Sequence, residues 1–144
     1  MQFLCERVRA LNGVELLRYA WIMGQGTDTN VDNVFVHDMD RTKEADLVVV
    51  ILDEPSFGAG MEIMRRCEVC DALRVFYPHG QQPPRIITGC IVHYREARFG
   101  PSLVKEREMP DPIEYLNDEE IFQAIVAWVE AHKRPPELEA APSA

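Results

Sequence analysis

The sequence predicts an α/β fold, a parallel sheet flanked by helices, and three observations carry that expectation. Leu47-Val48-Val49-Val50-Ile51-Leu52 is a continuous apolar, β-branched run, the composition of a strand buried on both faces of a parallel sheet. Helical spacing precedes it at Val31, Val34, Phe35 and Met39, and helical composition follows it from Met61 to Cys70. Between this strand and the second helix lies a glycine-bearing turn, Asp53 to Gly60. Helix, buried strand, turn and helix in that order build parallel sheets.

The remaining elements are read in chain order. Residues 3 to 11 form a short helix, with Phe3, Leu4, Val8 and Leu11 near helical spacing and Asn12-Gly13 ending it. Val14 to Ile22 is a strand candidate, and Gly24 to Asn30 has the small, polar composition of a loop. The helix that begins near Val31 carries Asp38 on its apolar stripe and closes at Ala45-Asp46. Leu73 to Tyr77 reads as a short strand and Pro78 to Pro84 as a loop. Ile86 to Val92 fits a strand or a short helix, because its periodicity does not separate the two. Ile113 to Leu116 is a late strand candidate. Asn117 or Asp118 can cap the helix after it, which presents Ile121, Phe122, Ile125, Val126 and Val129. The expected domain spans residues 1–132. Lys133 to Ala144, with three prolines and three alanines, reads as a disordered tail.

Composition narrows the function classes. The 144 residues are 47% hydrophobic and 27% charged, too apolar for an intrinsically disordered chain. No run of 18 or more uncharged apolar residues occurs, so no transmembrane helix is expected. Glu6, Arg7, Arg9 and Glu15 interrupt the first 17 residues, unlike a secretory signal. Four cysteines make no disulfide framework, and a cytoplasmic location is expected. A net charge of −9 argues against a nucleic-acid polymer as partner, since such surfaces need a basic stripe. A small anion stays compatible, because backbone N–H groups bind it locally.

No metal or cofactor is expected. Cys67-x-x-Cys70 lies within a helical stretch and lacks a second pair at zinc-ligand spacing. His37, His79, His93 and His132 show no ligand spacing either, and read as structural or surface residues. Arg95, Arg98, Lys105 and Arg107 are interleaved with acids, which reads as a solvated face.

Chemistry is concentrated in Pro55-Ser56-Phe57-Gly58-Ala59-Gly60-Met61-Glu62. This segment follows the carboxyl end of the most buried strand, where open α/β sheets place ligands. Gly58 and Gly60 let the backbone approach a ligand, Ser56 adds a hydroxyl, and the next helix directs its first N–H groups at an anion. Glu62 is expected in the first turn of that helix. Each part has a plainer reading when taken alone. A G-x-G pair also builds ordinary turns, and a first-turn Glu complements the helix dipole. Asp38 is less ordinary, because a buried carboxylate without a partner is costly.

Together, His37-Asp38, Ala45-Asp46-Leu47-Val48-Val49-Val50 and Pro55-Ser56-x-Gly58-x-Gly60-x-Glu62 resemble the nucleoside 2-deoxyribosyltransferase superfamily. The Pro-Ser before the glycines is most similar to its 2′-deoxynucleoside 5′-phosphate N-hydrolase branch. Asp38 stands eight residues before Asp46, which matches the family's spacing. The resemblance continues through Arg65, the Leu73 to Tyr77 strand and Ile87-Thr88-Gly89-Cys90-Ile91, and covers roughly residues 8 to 130.

The resemblance implies a flavodoxin-like or Rossmann-like sheet and a small-molecule nucleotide as substrate. It makes Glu62 the nucleophile on the anomeric carbon and Asp38 the group that assists the leaving base. It places a 5′-phosphate against Ser56, Gly58 and Gly60, where the nucleoside transferases carry an acidic residue in place of the serine. It implies a homodimer in which Thr88 of the partner subunit reaches the phosphate. The expected activity is hydrolysis of the N-glycosidic bond of (2′-deoxy)nucleoside 5′-monophosphates to free base and (deoxy)ribose 5-phosphate. The alternatives are a nucleoside 2-deoxyribosyltransferase and a catalytically inactive nucleotide-binding protein.

One departure from the family stands out. There, a first strand and a glycine-rich loop bearing an aromatic hydroxyl precede the first helix. This chain is read as starting inside that helix. On the alternative reading Phe3-Leu4-Cys5 is the remnant of the strand, with Phe3 in place of the tyrosine and Arg7 or Arg9 near the phosphate. A sheet short of one strand exposes backbone groups and apolar faces, which also favours assembly over a monomer.

Overall fold

The computed structural model describes residues 2–17, 31–54, 56–69, 72–101 and 107–132, without the side chains of 31–35, 38 and 39. The element order is α1 (Gln2–Arg9), α2 (Val31–Glu44), β1 (Val48–Ile51), α3 (Phe57–Val69), β2 (Leu73–Pro78), α4 (Arg85–Phe99), β3 (Ile113–Tyr115) and α5 (Asp118–His132). The three strands form one parallel sheet in the order β1-β2-β3. Val48 pairs with Leu73 and Ile51 with Phe76, while Phe76 pairs with Ile113 and Pro78 with Tyr115. The α/β architecture expected from the Leu47 to Leu52 run is therefore present.

The pleat sends alternate residues of each strand to opposite faces, so β1 needs apolar side chains on both. On one face Val50, Leu73 and Val75 pack with Ile63 and Cys67 of α3, Ile91 of α4 and Met109. On the other, Val49, Ile51, Phe76, Ile113 and Tyr115 pack with Leu4 and Val8 of α1 and Ile121, Phe122 and Ile125 of α5. Helices thus cover both faces of the sheet; β1, with its unbroken apolar run, stands at the edge of the three strands with only Val50 fully buried, and the more deeply buried strand is the central β2. Each fully buried aliphatic side chain, such as Ile63 or Ile91, contributes about 1.5–3 kcal/mol of burial. The Arg7 guanidinium lies 3.8 Å from the centre of the Phe122 ring and pairs with Glu119, fastening α1 to α5.

Three arginines tie the segments that lead into the strands. Arg66 of α3 is fully buried and donates to the carbonyls of Ala72 (3.0 Å), Thr42 (3.1 Å), Lys43 (3.4 Å) and Asp46 (2.9 Å). Arg74 donates to the carbonyls of Glu108 and Arg107, and burial lowers its pKa despite the nearby Glu108 carboxylate. Arg95 donates to the Met109 carbonyl (3.1 Å) and to Asp111 (2.8 Å), just before β3. Arg95 is therefore a buried clasp and not part of a solvated face: the Met109 carbonyl and the Asp111 carboxylate replace water at its Nη1, while its Nε is buried without a hydrogen-bond partner among the described residues.

Several local expectations change. The helix of α3 begins at Phe57, four residues before Met61. Ser56 caps it, accepting from Ala59 N–H through its hydroxyl at 3.2 Å and from Gly60 N–H through its carbonyl at 3.3 Å. Gly58 and Gly60 therefore lie inside the first turns of a helix instead of a loop. The ambiguous Ile86 to Val92 segment belongs to the long helix α4, which starts directly after Pro84 as Pro-led helices do. Val14 to Leu17 has no strand structure, and residues 18–22 of that strand candidate lie outside the described residues. So do the Gly24 to Asn30 loop, Pro55, Cys70, Lys105 and the 133–144 tail. Phe3-Leu4-Cys5 is helical, with Leu4 and Cys5 buried on the α1 face, so the strand-remnant reading is set aside. Among the described residues, no helix is long and apolar enough to cross a membrane.

Candidate active site

Parallel strands end together, so the carboxyl edge of the sheet collects the segments after β1, β2 and β3. The segment after β1 runs through Asp53 and Glu54, both exposed, to Ser56 and the start of α3. The Ser56 hydroxyl accepts one hydrogen bond in the cap, from Ala59 N–H, and can still donate its own proton. The Phe57 and Gly58 N–H groups open α3 at the same end, beside the Ala59 N–H already held by Ser56, and the helix dipole there is favourable for an anion.

Gly60 has no positive φ, and a Cβ built on it would meet nothing within 4 Å. At Gly58 the nearest atom to such a Cβ is Ser56 Oγ, at 3.7 Å. The chain's own packing therefore demands glycine at neither position.

Glu62 sits in the second turn of α3, partly buried, and not in the first turn. Its own helix starts earlier than the glycines suggested, which moves the carboxylate one turn inward from the helix N-terminus. Asp38 lies in α2, which packs directly against α3; its side chain is outside the described residues. Thr88 stands in the first turn of α4, with its hydroxyl donating to the Pro84 carbonyl at 3.3 Å. The fold thus gathers Ser56, Gly58, Gly60 and Glu62 on one helix. It sets the backbone of Asp38 on the neighbouring helix and Thr88 on the helix to the other side, since α4 also packs on α3.

Sequence reasoning missed a second group on the carboxyl edge. His79, directly after β2, has Nδ1 2.7 Å from Glu114 Oε1, and the same carboxylate oxygen accepts from Gly80 N–H at 3.1 Å. Gly80 has φ of 81°, the left-handed conformation that glycine adopts freely. Tyr115 ends β3, packed edge-on against Phe76. Burial first, then the carboxylates of Asp53 and Asp118, push its phenol pKa up, so it stays a neutral donor at physiological pH. These residues come from two separate strand ends, those of β2 and β3, and no sequence spacing joins the two. The signal that was available is position alone, each following or closing an apolar strand.

Between α3 and α4 runs an apolar groove of about 470 Å³, lined by Phe57, Gly60, Met61, Met64, Ile86 and Cys90 among others. Phe57 is 97% exposed and Ile86 83%. Cys67 is fully buried in the core, as a structural cysteine. Among the described residues no cluster of three or more His, Cys, Asp or Glu side chains is placed to hold a metal ion. No family model, curated protein or solved structure matches the chain.

Proposed function

We propose that the chain is an N-glycosidase of (2′-deoxy)nucleoside 5′-monophosphates. The observation that carries this reading is the Ser56-to-Glu62 run, capped just after the carboxyl end of the parallel strand β1, with the helix of Asp38 packed alongside. The 5′-phosphate lies against the Ser56 hydroxyl and the first N–H groups of α3, which are charge-assisted donors of about twice the strength of neutral ones.

Glu62 attacks C1′ of the sugar as a carboxylate, and the N-glycosidic bond breaks through an oxocarbenium-like transition state. Asp38, in its acid form, gives a proton to the departing base. Its carboxylate then takes a proton from water as that water attacks C1′ of the glycosyl–enzyme ester. Glu62 is released unchanged, and the products are free base and (deoxy)ribose 5-phosphate. A transferase would replace the water with a second base; Ser56 disfavours that reading, because it suits a phosphate where a carboxylate would suit a 5′-hydroxyl.

The exposed apolar residues Phe57, Met61, Met64 and Ile86 form a face suited to a second copy of the chain, which would also bring Thr88 of the partner subunit towards the phosphate. The deciding experiment is incubation with a panel of nucleosides and their 5′-monophosphates, with free base followed by chromatography. Release from a monophosphate and little from the matching nucleoside is the expected result. Base exchange without net hydrolysis would make the chain a transferase, and binding without turnover would make it an inactive nucleotide-binding protein.

A further inference from the structure

Arg66 is the largest fully buried side chain among the described residues, and its position on α3 has a consequence for the two carboxylates. Burying a guanidinium costs several kcal/mol unless its donors are satisfied. Here they are spent on backbone carbonyls of the last turn of α2 (Thr42, Lys43), the α2–β1 connection (Asp46) and the residue before β2 (Ala72). A planar fork reaching several separate segments fixes their mutual spacing in a way that a lysine, with a single ammonium, cannot.

Short connections join α2 to β1 and β1 to α3, so both helices run antiparallel to the strand and parallel to each other. Arg66 meets Thr42 at one level of this helix pair. One turn back on α3, four residues earlier, is Glu62; one turn back on α2, also four residues earlier, is Asp38. The clasp therefore sits one turn below the level that the two carboxylate-bearing residues share.

Resting on the N-glycosidase reading, we infer that Arg66 is a positioning residue, setting the separation of Glu62 and Asp38 by locking α2 against α3. It does not touch substrate. Its effect is on the alignment of nucleophile and acid, where about 1 Å of misplacement costs up to about 100-fold in rate.

Arg66→Lys tests this. Per folded enzyme, kcat for base release falls about 10- to 100-fold with KM little changed. In an Asp38→Asn background the same substitution causes no further loss, because the spacing it controls no longer matters. A variant with a lower melting temperature but unchanged kcat per folded molecule overturns the inference, as does full additivity with Asp38→Asn.

A second readout does not depend on activity. Nitroxides on unnatural side chains at the exposed positions Asp40 and Met61 report the α2–α3 distance. That distance distribution broadens in Arg66→Lys if Arg66 sets the spacing; an unchanged distribution overturns the inference. Should the wild-type chain release no base from any monophosphate, the proposed activity fails, and the distance measurement still judges Arg66. Arg66→Gln is the second variant. If neither folds, Arg66 serves folding alone and the inference is wrong.

Discussion

At the residue scale, the proposed chemistry rests on Glu62 and Asp38, one on each of two adjoining helices. Glu62→Gln keeps the size of the side chain and removes the nucleophile, so base release is expected to fall by at least about 1,000-fold with the circular dichroism spectrum unchanged. Normal turnover in that variant would end the assignment. Asp38→Asn should lower kcat by about 100- to 10,000-fold, the usual worth of a general acid, and most for the poorest leaving bases. Gly60 gives a test of a different kind. Its Cβ position is open, so Gly60→Ala should stabilise the helix by about 0.5–1 kcal/mol in urea unfolding. If a ligand approaches the backbone there, the same variant raises KM for the monophosphate. A more stable enzyme with an unaltered KM would show that the glycine is not kept for a ligand.

At the scale of elements, the cap of α3 joins stability to recognition. Ser56→Ala removes an N-cap acceptor, expected to cost about 1 kcal/mol, and removes the hydroxyl proposed for the phosphate. Ser56→Asp separates the two roles: it restores the cap but repels a 5′-phosphate, so thermal stability recovers while the preference for monophosphate over nucleoside is lost. A monophosphate preference surviving in Ser56→Asp would move the phosphate site elsewhere.

The α1–α5 contact gives a pH dependence. The hydrogen bond from Arg7, then that from Gln123, hold the Glu119 carboxyl below its ordinary range. A depressed folded pKa means that the unfolded chain binds more protons in the window between the two values, so stability rises with pH there. The contribution is present above the unfolded value, about 4.3, and is lost as pH falls through the folded one. Glu119→Gln should flatten the acid limb of stability against pH, measured by urea midpoints from pH 3 to 6. An identical acid limb would show that the pair adds nothing, as exposed pairs often do.

What the sequence made legible at this scale was the elements with strong periodicity or an apolar run: α1, α2, β1, β2, β3 and α5. The start of α3 was not legible, because glycines read as loop until the Ser56 cap shows that they begin a helix. The site divides in the same way. Ser56, Gly58, Gly60 and Glu62 are contiguous, so their grouping could be read directly, whereas His79, Glu114 and Tyr115 meet only through strand pairing. Arg66, Arg74 and Arg95 were opaque for a related reason. An arginine reads as surface unless the carbonyls that surround it are known, and those carbonyls belong to distant segments. The faint signals were at Arg66, on the apolar stripe with Ile63 and Cys67, and at Arg95, four residues after Ile91 on its stripe.

At the scale of the whole molecule, charge and shape bear on assembly. A chain of net charge −9 repels anionic ligands at long range, so a phosphate-binding function must rely on local donors, and added salt that screens the repulsion should aid binding. The same charge resists self-association except where apolar surface outweighs it. That surface is the α3–α4 face, where Phe57, Met61, Met64 and Ile86 project around the groove. Phe57 stands at the start of α3, immediately after Ser56, so a second copy seated there would close over the anion-binding end and shield it from water. Within such a site each hydrogen bond to the phosphate strengthens. The expectation is a homodimer at micromolar concentration, read by light scattering as twice 16.5 kDa. Phe57→Glu with Ile86→Glu should give a folded monomer, since both side chains are exposed in the single chain and neither supports its core. That monomer should lose its preference for monophosphates if the phosphate site is shared, and keep it if each chain holds a complete site. A wild-type chain that scatters as a monomer would refute the shared site outright and leave Thr88 as an ordinary residue in the first turn of its helix.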